Sequence, residues 1–147
     1  MYEIIKFVHL AAAIVWMGGM ALMIRAVRPV AIEQLEPIQR LPLLEGILSR
    51  FFQMGGLCVL LLVTGGLMLK GVDMRLAPKG WHTMLGIGLL MCLIFGHLYF
   101  GPFRKLKLAL ANVDLPGAGA QLAKIHRLVL INFGLSWLAV GAVVIWR

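Results

Sequence analysis

The residues with the most chemical potential are four histidines, His9, His82, His97 and His126, which are the whole histidine complement of the chain. Each falls inside or at the edge of a long hydrophobic stretch. Ionisable or metal-binding side chains are costly inside a membrane, so each is a candidate for function. Neutral imidazole binds haem iron and transition metals, and two imidazoles on one iron make a low-spin electron-transfer centre.

The elements that must position them are predicted membrane helices. The chain has 147 residues, 61% of them hydrophobic, against about half in a soluble domain. A span takes about 20 apolar residues, and four such stretches can be read: 4–24, 51–69, 81–101 and 128–146. A backbone in lipid must satisfy its own hydrogen bonds, so the spans are helices. Short connections favour a single domain over 1–147, an all-α membrane protein built as a four-transmembrane-helix, antiparallel up-down bundle. No room is left for a separate soluble catalytic domain. The first stretch is too long for a signal peptide and lacks a cleavage site, so it is read as a retained span.

The formal net charge is +8, but its arrangement argues for a lipid bilayer and against nucleic acid as the partner. Arg25, Arg28, Arg40, Arg50, Arg104, Lys105, Lys107, Lys124 and Arg127 fall in the first and third connections. Lys6, Lys70, Arg75, Lys79 and Arg147 fall on the other side. The excess of nine over five predicts connections one and three to be cytoplasmic and both termini periplasmic, in a bacterial inner membrane. The stretch 31–49, with Pro37 and Pro42, reads as a broken amphipathic helix along the cytoplasmic surface. Leu115–Gly119 reads as a loose turn.

With this topology His9 and His82 lie toward the outer face, and His97 and His126 toward the cytoplasmic one. On the third helix, 15 residues separate His82 and His97, or roughly 22 Å of rise and about 60° of rotation. They cannot share one iron, so the expected axial pairs are His9 with His82 and His97 with His126. These would hold one or two haem b groups, with Arg104, Lys105 or Arg127 near the inner propionates. His82 and His126 sit beside interfacial residues and also suit a solvated role.

Nine methionines allow a copper reading, since thioether sulfur suits Cu(I). Met17, Met20 and Met23 drift about 60° per step and form a spiral rather than a stripe, which fits core packing better. Cys58 and Cys92 read as packing residues on different helices. Gln53, Thr64, Asn132 and Ser136 are expected to hydrogen-bond between helices. No carboxylate lies in the middle of a span, which argues against a carboxylate proton relay. Paired glycines such as Gly18-Gly19, Gly55-Gly56 and Gly65-Gly66 allow close helix approach and make a homodimer an open expectation.

The pattern His9-x6-Trp16-x-Gly18-Gly19 on helix one resembles the copper-resistance-D-like (CopD) membrane family. Arg50-Phe51-Phe52, Thr64-Gly65-Gly66 and the Trp81 start of helix three extend the resemblance over all four spans. That likeness implies copper uptake or handling. A related group, the membrane protoporphyrinogen oxidase (HemJ) family, shares the His-x6-Trp pattern and binds haem b. It opens helix three with Trp-x-His-x-Lys, where this chain has Trp81-His82-Thr83-Met84. The resemblance to both implies a haem or metal site involving His9. Three readings follow: a b-type haem protein moving electrons to an unidentified redox partner, a copper permease, and an oxidase-like enzyme or non-catalytic membrane subunit.

Overall fold

The computed structural model describes residues 1–66, 73 and 75–146. The expected end of the second span at Leu69, and the cations Lys70 and Arg147, lie outside the described residues. Among the described residues four helices are long and apolar enough to cross a membrane: α1 (Tyr2–Gln34), α2 (Pro37–Gly65), α3 (Lys79–Ala111) and α4 (Leu115–Ile145). They form an all-α antiparallel bundle, and the protein is a multi-pass membrane protein. α1 packs chiefly on α2 and α3 chiefly on α4, giving two hairpins laid side by side.

The packing follows from the spacing of buried residues. On α2 they fall at Leu41, Leu44, Leu48, Phe51, Gly55 and Cys58, and on α4 at Ala118, Leu122, Ile125, Val129, Asn132 and Ser136. Alternating steps of three and four residues put one continuous seam on each helix, the geometry of left-handed antiparallel packing. Between the hairpins the seams carry aromatic rings. Phe52 stands at 5.6 Å from Phe95, 5.8 Å from Tyr99 and 4.7 Å from Phe103, centroid to centroid, and Trp16 lies edge-on to Phe95 at 5.9 Å.

All four helices are longer than a bilayer requires. A helix of 33 residues rises about 50 Å, against roughly 30 Å of hydrocarbon. The surplus lies at the end carrying most of the cations, called here the basic end. The surface-lying broken helix expected over 31–49 is therefore absent. α1 continues through Pro29 to Gln34, Leu35 and Glu36 turn the chain, and α2 runs unbroken through Pro42. Leu115–Gly119 is likewise helical. Asp114 caps α4 by accepting from the Gly117 backbone N–H at 3.0 Å, and Pro116 sits in the first turn, where a missing N–H costs nothing.

α1 and α3 each contain one π-helical turn, Met23–Val27 and Tyr99–Phe103. Proline explains both. Pro29 and Pro102 would press on the carbonyls of Arg25 and Leu98 four residues earlier, and a widened turn relieves the clash. Across this turn on α3 the buried residues are Leu98, Pro102 and Phe103, so two adjacent residues face inward where an ordinary seam holds one.

At the far end each hairpin has close contacts of its own. The buried positions there are Ala12, Cys58, Gly65, Gly80, Ser136 and Ala142. Gly65 packs on His9 within the first hairpin, and Gly80 packs on the Ala142 and Trp146 carbonyls within the second. The aromatic contacts that join the hairpins run from mid-bundle, at Trp16, Phe52 and Phe95, toward the basic end, at Tyr99 and Phe103.

Candidate functional site

His9 belongs to the α1 seam, three residues before buried Ala12 and seven before buried Trp16. Seven residues are close to two helical turns, so the His-x6-Trp spacing places both side chains on the interior face. His9 is half-buried, and the Nδ1 edge of its ring points at Gly65. A methyl group there would touch Nδ1 and fall 3.1 Å from Cγ. Nδ1 is buried without a completed hydrogen bond, and the Leu62 carbonyl is the backbone acceptor beside it. An imidazole nitrogen that donates its proton to a backbone carbonyl leaves the other nitrogen's lone pair free for a metal. Trp16, 3% exposed, also has a buried, unpartnered Nε1 near Gly55 and Phe95.

The other histidines have different surroundings. His82 is exposed, nine residues before buried Met91 and so about 180° around α3 from it. His97 is also exposed, next to buried Leu98, with its ring along Gly101 one turn later. His126 is half-buried beside Ile125 and lines a small cavity with Arg28. Among the described residues no three of His, Cys, Asp and Glu gather as a metal site. Arg104 and Arg127 are exposed on helix flanks at the basic end. Cys58 and Cys92 are free thiols on α2 and α3.

The polar residues expected to link helices act locally. Thr64 donates to the Leu61 carbonyl at 2.8 Å and Ser136 to the Phe133 carbonyl at 2.6 Å, each within its own helix. A hydroxyl in lipid satisfies itself at once this way, with no partner helix required. Gln53 is exposed. Asn132, 2% exposed, keeps a buried Oδ1 with no partner.

Two features had no counterpart in the sequence reading. One is the unpartnered Trp16 Nε1, for which the inward phase of His9 and Trp16 was the available signal. The other is the half-buried Arg28, aimed by the π turn before it. No protein-family model, no curated protein and no solved structure matches the chain.

Proposed function

We propose that this protein binds haem b in the membrane through His9 and uses it for electron transfer. The observation that carries the reading is the state of His9. The Nδ1 edge of its ring is set against Gly65, the Leu62 carbonyl lies beside the ring, and the residue shares the interior seam of α1 with Ala12 and Trp16.

Fit to the group can be judged on space and on donors. The two best-defined cavities hold about 30 Å³ and about 390 Å³, and the larger, between Val27, Ala31, Leu35 and Leu43, contains no histidine. Sites for drug-sized ligands need about 300–1,000 Å³. The smaller cavity has no room for a haem and the larger no histidine, so the reading rests on the His9 imidazole and not on a preformed cavity. A bound haem b supplies reversible one-electron chemistry. The chain would hold it by the His9 Nε2 and exclude water with the apolar walls of α1 and α3. Since His82 and His97 stand outward, this reading takes one haem and one histidine ligand, not two axial pairs. The excess of cations supports a reading with the basic end in the cytoplasm of a bacterial cell and both termini outside.

Spectra of the detergent-purified protein, oxidised and dithionite-reduced, with a pyridine haemochrome assay, test this. The expected result is about one haem per chain, lost in His9→Ala and kept in His82→Ala and His97→Ala. Haem retained by His9→Ala, or no Soret band after haem-supplemented expression, refutes the proposal. A colourless protein carrying copper would favour the copper-handling reading instead.

A further inference from the structure

A separate feature lies at the basic end, where Arg28 of α1 and His126 of α4 line the same small cavity. Its other walls are apolar, among them Met23, Leu48, Phe51 and Leu122. The two positions correspond in depth. Arg28 follows His9 by about 28 Å of helix rise, and His126 precedes Trp146 by about 30 Å, each close to one hydrocarbon thickness. This is the depth at which a phospholipid presents its phosphate.

Arg28 is half-buried, permanently charged and without a carboxylate partner. Among the described residues the one ion pair is Lys6–Glu3 at 4.0 Å, near the N-terminus. Glu45, half-buried between Leu44 and Leu48 on α2, is the acidic side chain on the facing helix, and it makes no ion pair with Arg28. Arg25, one turn earlier, points outward and is exposed. Arg25 sits within the π turn Met23–Val27 and Arg28 just beyond it, where the one residue the turn adds rotates the helix by about 100°. A guanidinium turned inward at a membrane interface needs an anion, and basic pockets between membrane helices serve lipid headgroups.

We propose that Arg28 and His126 form a site for the phosphate of an anionic phospholipid in the leaflet at the basic end. The guanidinium donates to two phosphate oxygens and the imidazole N–H to a third. The site is distinct from His9 and does not depend on haem.

Native mass spectrometry of the protein titrated with phosphatidylglycerol or phosphatidylcholine tests it. We expect at least tenfold preference for phosphatidylglycerol, lost in Arg28→Gln, largely kept in Arg28→Lys, and weakened several-fold in His126→Ala. Arg104→Gln, an exposed cation at the same end, should bind like the parent protein. Circular dichroism establishes that each variant is folded. If Arg28→Gln does not fold, the contrast between His126→Ala and Arg104→Gln decides. Equal binding by all variants overturns the proposal. Displacement of the lipid by millimolar inorganic phosphate would assign the site to free phosphate, and one-for-one displacement by haem would assign it to a propionate. Either also overturns it.

Discussion

Replacing Gly65 by alanine sets a methyl group against the His9 ring. The added Cβ meets Nδ1 and lies 3.1 Å from Cγ and 3.2 Å from Cε1, whereas favourable carbon contacts begin near 3.5 Å. Three atoms of one planar ring are crowded together, so no single rotation frees them. Either the imidazole leaves its position or α1 moves away from α2. Overpacking of this kind costs about 1–3 kcal/mol. Alanine also stabilises a helix relative to glycine by about 1 kcal/mol, which masks part of the cost. Gly86, where a Cβ meets nothing within 4 Å, measures that masking term alone. The assay is reversible unfolding in mixed micelles, followed by tryptophan fluorescence as the denaturing detergent increases. Gly86→Ala should be neutral or stabilising, and Gly65→Ala should fall below it by about 1–3 kcal/mol. In a His9→Ala background the Gly65→Ala penalty should vanish, because the crowded ring is gone. A penalty of equal size in both backgrounds would refute the contact, and with it the placement of His9 on which the haem reading rests.

Two further substitutions probe the scaffold. Gly80→Ala meets the backbone carbonyls of Ala142 and Trp146, and no rotamer change can move those. It also disturbs the Gly80 N–H bond to the Trp146 carbonyl at 3.1 Å. The expected loss is about 2–4 kcal/mol, measured by the same unfolding assay and not relieved by His9→Ala. Phe52→Ala removes the ring that touches Phe51, Phe95, Tyr99 and Phe103. It should cost about 3–5 kcal/mol and speed amide exchange at the basic end of α2 and α3 more than at Gly65 or Gly80.

The four spans and their antiparallel order were legible because length and hydropathy decide them. The inward phase of His9 was legible too. Its spacing to Ala12 and Trp16 repeats the three-and-four steps that Leu41, Leu44 and Leu48 show on α2. Depth along the helices said which histidines share a level but nothing of direction around a helix, and His82 and His97 are exposed. His97 precedes inward Leu98 by one residue, and that single step turns it about 100° outward. The helix extensions escaped because Pro29, Pro42 and Pro116 read as breakers. Two of these helices absorb their proline in a first turn or beyond a π turn, and α2 carries Pro42 within its second turn. The local hydrogen bonds of Thr64 and Ser136 could not be told from cross-helix ones without coordinates.

The π turns also bear on how the chain tolerates changes of length. Removing one residue from an ordinary helix puts every later side chain out of phase with its seam. Within Met23–Val27 or Tyr99–Phe103, a deletion can instead convert the wide turn to a regular one, so the shift is confined to the segment on the basic side. On α1 that segment is Arg28–Gln34 and on α3 it is Arg104–Ala111. These short pieces are joined to the membrane-crossing parts by a spare residue, like a slack link in a chain. Insertions and deletions in relatives of this protein should therefore collect at these two turns, and each would re-aim Arg28 or Arg104 while leaving His9 and the far half of the bundle where they stand.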